Sequence, residues 1–300
     1  MDGTYLLHSV SYSGSWGQAF LTLDQFIDKA AELGFDGVLL MAKRPHLSVL
    51  DYDAKRQAEL RARIEKRGLR TVAIAGYNNF TADMEHGDIP HREIQIHYVT
   101  ELARMARDLG SDAVRSKLVR VFTAYQHPSS TYLAQWNLVV AALKECAKRA
   151  AEFGITIGVQ NHHDLAAGWE TQHDLIDAIN EPNCKALFDA WSPALHGADL
   201  AAAARRMAGM TAHTTIADYQ LRPRYKYHPE VINYAKEAPF VQAVPMGEGF
   251  IDYCGFLRGL CEGGFTGTIA YEMCSPLLHG GEMATLDRYA RRFLEYMREV

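Results

Sequence analysis

The stretch AEFGITIGVQ, residues 151–160, packs three signals into ten positions: the end of a helix, a glycine and a buried strand. Gly154 supplies the left-handed residue that stops a helix, and Ile155, Ile157 and Val159 start a β-branched run too short to be a helix itself. The same order returns in AELGFDGVLL (31–40), IEKRGLRTVAI (64–74) and EGGFTGTIAYE (262–272). Short aliphatic strands alternating with longer helical segments are the pattern of βα units around a parallel sheet. Eight strands are predicted: Tyr5–Val10, Gly37–Met41, Arg70–Ala75, Leu118–Phe122, Ile155–Gln160, Lys185–Asp189, Thr211–Ile216 and Thr268–Glu272. Thr22 and Gln25 form a capping-box pair ahead of the apolar face Phe26, Ile27, Ala30, Ala31 and Leu33, which Gly34 ends.

Eight such units in 300 residues, with no Pro/Ser-rich linker between them, make residues 1–300 one (β/α)₈ barrel domain. The longest stretch without regular periodicity runs from about Asp218 to Gly249, and a loop of that length on a barrel is usually functional.

With 48% hydrophobic and 22% charged residues, the chain can bury a large core and still cover its surface. Lys and Arg number 31 against 36 Asp and Glu, a net charge of -5, so there is no broad positive field for phosphate backbones and nucleic acid is not an expected partner. No apolar stretch is long enough to span a membrane, and the first residues do not read as a secretory signal; a cytoplasmic location is expected. The five cysteines show neither a CxxC pair nor a framework spacing, which suits reduced thiols.

Catalytic groups of such barrels sit at the C-terminal ends of the strands. The fifth strand ends in Gln160-Asn161-His162-His163-Asp164, the sixth in Phe188-Asp189, the seventh carries His213 and the eighth closes on Tyr271-Glu272. Gln160, Asp189, His213 and Glu272 would thus meet at one rim. Two carboxylates, an imidazole and an amide oxygen suit one divalent ion of the Mn²⁺, Mg²⁺ or Co²⁺ kind, with Mn²⁺ preferred and Zn²⁺ left open.

These residues, in this order, resemble the xylose isomerase-like barrels, the sugar phosphate isomerase/epimerase family. That family also includes ketose 3-epimerases, inosose dehydratase, C-glycoside deglycosidase α subunits and endonuclease IV. The resemblance runs from GFDGVLL through LVRVF (118–122), IGVQNHHD (157–164), LFDAWSPALHG (187–197) and the His213 strand to VPMGEGFID (244–252) and IAYE. It implies a metal held by Glu, Asp, His and Glu from the last four strand ends, corresponding here to Gln160, Asp189, His213 and Glu272. Gln160 departs from the pattern, since an amide cannot take a proton at neutral pH. Ser192 also stands where relatives have a histidine, although His196 is nearby.

A divalent ion chelating a carbonyl and a neighbouring hydroxyl would stabilise the enediolate formed when the carbon between them loses a proton. Glu272 is the expected base and His162 the partner acid or base, because imidazole titrates near neutral pH. Lys43 and His46, in the turn after the second strand, together with Trp16 and with Arg222 in the long loop, are candidates for substrate binding. Lys43 would polarise a substrate oxygen or bind an anionic group, Arg222 would hold a phosphate, and Glu248 of the GEG element would steady the site. The expected activity is isomerisation or epimerisation of a keto-sugar, cyclitol or oxidised sugar. Elimination by a lyase, a dehydratase or a 3-oxo-glycoside deglycosidase subunit, is the alternative that the loss of a second carboxylate favours. A homo-oligomer is expected, or else a hetero-oligomer with a small partner subunit.

Overall fold

The short aliphatic runs do become strands, and nearly every one keeps the predicted position. The structure, a computed structural model, describes residues 3–300. Its strands are β1 (Thr4–His8), β2 (Gly37–Met41), β3 (Thr71–Ala75), β4 (Arg115–Val121), β5 (Thr156–Gln160), β6 (Cys184–Leu187), β7 (Thr211–Ile216), β8 (Asp218–His228), β9 (Asn233–Val244) and β10 (Thr268–Tyr271). All but β8 and β9 pair in parallel around a closed ring, β1 to β7 in chain order and then β10 back to β1. This is a single (β/α)₈ barrel.

Two apolar layers hold it together. Inside the ring lies a small cluster of Leu6, Leu39, Ala73, Ala75, Leu118 and Ala270. A larger layer seals the strands against the surrounding helices; Phe26, Ile27 and Ala30 of the helix Leu23–Leu33, for example, are fully buried. Thr22 caps that helix as its sequence indicates: its Oγ1 accepts the Gln25 N–H at 3.3 Å, and Gln25 Oε1 accepts the Thr22 N–H at 3.0 Å. Gly34 then ends it at φ 88°, a conformation that costs a residue with a side chain about 1–2 kcal/mol. No helix among the described residues is long and apolar enough to cross a membrane.

The stretch from Asp218 onward is not irregular. It folds as an antiparallel hairpin of β8 and β9, registered from Asp218 opposite Val244 to His228 opposite Asn233. Pro223 and a run of charges hide the strand in the sequence. The structure accommodates the proline at a register shift between Arg222 and Arg224, since a proline cannot donate to a ladder. At the hairpin's base, Asp218 accepts the N–H groups of Gly247 and Gly249, each at 2.9 Å, and so ties the GEG turn to the barrel. A Cβ on Gly249 would lie 1.8 Å from Asp218 Oδ1, so only glycine fits there. Glu248, on the tip of that turn, is exposed and does not line the cavity at the strand ends.

Candidate active site

The strand ends surround a cavity of about 300 Å³, at the small end of the range for small-molecule pockets. Its polar floor is Gln160, Asp189, Thr215 and Glu272, and its walls are mostly aromatic, among them Trp16, Tyr77, Phe122, Trp191 and Tyr219. Three of the four expected rim residues therefore meet. The fourth does not: Thr215, not His213, faces the cavity from β7.

Strand geometry explains the substitution. Side chains two apart on a strand share a face, so His213 and Thr215 both point into the barrel, but His213 lies one layer lower. There it is fully buried, with Nδ1 2.6 Å from Thr268 Oγ1 on β10. Burial, with help from the positive charge of Arg120, pushes its pKa down to about 3. It is a neutral interior histidine.

Asp189 is held firmly. Its Oδ1 accepts the Thr215 N–H at 2.8 Å, and its Oδ2 accepts both the Thr215 hydroxyl at 2.6 Å and a short hydrogen bond from Gln160 Nε2. Asn161 fixes the same backbone, giving its Nδ2–H to the Asp189 carbonyl at 2.9 Å and accepting the Asp189 N–H at 2.7 Å. Burial and then the nearby charge of Glu272 push the Asp189 carboxyl up to about 7, against the pull of those hydrogen bonds.

Glu272 is free by comparison. Its Oε1 lies 3.4 Å from His8 Nε2 and 3.5 Å from the thiol of Cys274, both weak contacts. His8 Nδ1 accepts the Val10 N–H at 3.0 Å, so its proton sits on Nε2 and faces the carboxylate. Cys274 itself stays a thiol, its pKa raised well above normal by burial and by Glu272.

The sequence reading passed over Arg120, the second residue before Phe122 on β4. It is 1% exposed, and its Nη1 donates to Gln160 Oε1 at 2.8 Å. The guanidinium lies over the rings of Phe122 and Tyr77, 4.1 and 4.8 Å from their centres. Its Nε and Nη2 are buried without a well-formed hydrogen bond. A charge inside the apolar run LVRVF was the available signal, because a buried guanidinium is costly unless it has a task.

These donors do not fit a divalent ion. Gln160 cannot turn its amide over without setting N–H against guanidinium N–H and oxygen against carboxylate, so its oxygen stays committed to a cation. Thr215 offers only a neutral hydroxyl oxygen where the expected set had an imidazole, and each Asp189 oxygen already accepts a hydrogen bond from the protein. Among the described residues, no cluster of three or more His, Cys, Asp or Glu side chains is arranged to hold a metal. The expected ligand set of Gln160, Asp189, His213 and Glu272 is corrected at His213, which does not line the cavity, whereas the other three do.

The remaining expectations divide. Trp16 lines the cavity. His162 also lines it, but as a neutral ring: its Nδ1 accepts the His163 N–H at 2.9 Å, which leaves the proton on Nε2. Burial, His163 and Arg120 depress its pKa to about 3, so it is a hydrogen-bond donor and not the titrating partner that the sequence suggested. His163, beside it, adopts a left-handed φ of 69°, an uncommon conformation that brings both imidazoles over Phe122.

Lys43 does not line the cavity itself, but its Nζ lies 4.2 Å from the centroid of Tyr77, which does. His46 belongs to the core: 2% exposed, it donates from Nε2 to the Leu21 carbonyl at 3.0 Å and stacks on Phe20 and Phe26. Arg222 lies on the hairpin, where Nε donates to Gln242 Oε1 at 2.8 Å, and it does not line the cavity.

Comparison with known proteins yields the fold first. A D-psicose 3-epimerase from Clostridium cellulolyticum H10, solved with D-tagatose, is 17% identical over 99% of both chains at a TM-score of 0.74. A 3-keto-D-glucoside 4-epimerase from E. coli is 17% identical over 100% of both, with a TM-score of 0.71. A barrel protein from Mycobacterium smegmatis in complex with magnesium is 14% identical over 98% of this chain and 97% of its own, at 0.66. No curated protein matches significantly. The profile of one family, described as xylose isomerase-like TIM barrel, matches residues 27–300. With that match across nearly the whole barrel, the chain belongs to the xylose isomerase-like TIM barrel family.

Proposed function

We propose that this protein is an enzyme that isomerises or epimerises a keto-sugar or oxidised sugar by moving a proton at a carbon beside a carbonyl. The observation that carries the reading is the contrast between the two carboxylates on the cavity floor. Asp189 accepts three hydrogen bonds from the protein, whereas Glu272 has only weak contacts and faces the cavity. Glu272 is therefore the group able to take a proton from substrate carbon. The neutral His162, with its proton on Nε2, donates a hydrogen bond to the carbonyl oxygen as negative charge builds there. The proton returns to the same or the adjacent carbon, and the hydroxyl pattern of the sugar is rearranged. Likeness to a psicose epimerase and a ketoglucoside epimerase supports this substrate class.

A second reading rests on the same contrast. One mobile carboxylate suffices for β-elimination, and walls formed by Tyr77, Phe122, Trp191 and Tyr219 suit an aromatic leaving group on a 3-oxo-glycoside. One experiment separates the two. The protein is incubated in heavy water with panels of ketoses, inososes and 3-oxo-glycosides. Deuterium entering substrate carbon supports the isomerase, and a released aglycone supports the lyase. If neither appears, or if Glu272→Gln leaves the signal intact, the assignment of Glu272 as base is wrong.

A further inference from the structure

We infer that the guanidinium of Arg120 is the resident cation of this site and that the barrel works without a bound divalent ion. Arg120 is buried among Tyr77, Phe122 and Gln160 directly beneath the polar floor, and its guanidinium is a cation. A second positive ion placed against Gln160 would meet that charge in a medium where water screens little. The oxygen that a metal would need is the one Arg120 holds at 2.8 Å.

The hydrogen bonds run in one direction. Arg120 donates to Gln160, Gln160 donates to Asp189, and Thr215 donates to the same carboxylate twice. A chain of donors ending on one anion is complete in itself, and charge-assisted bonds of this kind polarise one another. Arg120 is thus a positioning residue. It fixes the Gln160 amide, which holds Asp189 in place and leaves Glu272 as the carboxylate free for proton transfer. The Nε and Nη2 of Arg120, which lack well-formed hydrogen bonds, lie on one edge of the guanidinium, and the Tyr77 ring beside it also lines the cavity.

The positioning role of Arg120 rests on the proposed activity, but ion binding is read without turnover, so the two can fail separately. The full-length protein, treated with chelator and dialysed, is titrated with Mn²⁺, Mg²⁺ and Co²⁺ by calorimetry, and untreated protein is assayed for metals by elemental analysis. The expected result is substoichiometric metal as purified and a Kd for each ion weaker than about 1 mM. The triple variant Arg120→Leu, Gln160→Glu, Thr215→His, which removes the cation and restores an acid and an imidazole, is expected to bind Mn²⁺ at least about 100-fold more tightly. Tight, stoichiometric Mn²⁺ in the unmodified protein would overturn the inference, as would a folded triple variant that still binds none. Should the triple variant fail to fold, the titration of the unmodified protein alone still decides.

Discussion

Replacing Arg120 by methionine isolates what the buried charge does to its neighbours. The Phe122 ring stands 4.1 Å from the guanidinium carbon and 4.4 Å from the His163 ring centre. Charge and imidazole are therefore no more than about 8.5 Å apart, and at an effective dielectric near 20 their repulsion is about 2 kcal/mol, or roughly 1.4 pH units. Burial and then Arg120 hold His163 at about 4. Burial persists in Arg120→Met, because methionine keeps a stem of similar length, while the charge vanishes. His163 is expected to rise by about one unit, and His162, for which Arg120 ranks behind burial and His163, by a similar or smaller amount. Titration of the imidazole resonances by NMR, in both proteins, reads this directly. A shift at His163 below about 0.3 units would refute the placement of a full positive charge beneath Phe122.

Four further outcomes follow from the same geometry. Glu272→Gln is expected to slow substrate-dependent deuterium exchange by about 10²–10⁴-fold with the fold unchanged, as checked by circular dichroism. Thr215→Val removes a hydroxyl that Asp189 accepts at 2.6 Å; it should cost about 1–3 kcal/mol in urea unfolding and raise the Asp189 pKa further. Gly249→Ala would drive a methyl into Asp218 and should cost more than about 2 kcal/mol, whereas an alanine at exposed Gly209 should cost little. Acid should destabilise the protein: His162 and His213 bind protons near pH 6.5 when unfolded but only near 3 when folded, so stability present above pH 6.5 is lost as the pH falls. Asp189, raised to about 7, works in the opposite sense over the same interval, but it is one group against the imidazoles of His162, His163 and His213 and does not cancel them. A Tm that holds steady over that range would contradict the burial of these imidazoles.

The barrel was legible because its signals are local. A glycine at a helix end and a five-residue aliphatic run each declare themselves within ten positions, and Gly37–Met41 and Thr211–Ile216 fall where the sequence places them. The site was legible only as far as strand ends could be judged within a residue or two. Gln160, Asp189 and Glu272 close strands or follow them directly, so small errors in the boundaries did not move them. His213 sits in mid-strand, where an offset of two residues separates the rim from the layer beneath it, and the eye is drawn to the histidine in place of the threonine. His46 and Arg222 failed for a different reason. Their partners, the Leu21 carbonyl and the Gln242 side chain, lie 25 and 20 residues away in sequence, and nothing local marks them as engaged.

The changes at Gln160, Thr215 and Arg120 make sense together as a matter of charge. The ligand set implied by the family resemblance, three carboxylates and an imidazole around a divalent ion, carries a net charge of -1. Asp189 and Glu272, when both are ionised, carry with Arg120, Gln160 and Thr215 the same total with one fewer anion and a cation supplied by the chain. Losing a carboxylate alone would leave a divalent ion less well held, and gaining a buried arginine alone would leave a cation opposed by a second one; each change is costly unless the other accompanies it. Such coupling is measurable. In a double-mutant cycle on stability, Arg120→Met and Gln160→Glu should each destabilise, and the pair should depart from additivity by about 1 kcal/mol or more, because the carboxylate introduced by Gln160→Glu has a partner only while Arg120 is present. Strict additivity would mean that the two side chains act independently and that the guanidinium is merely a buried neighbour of the site.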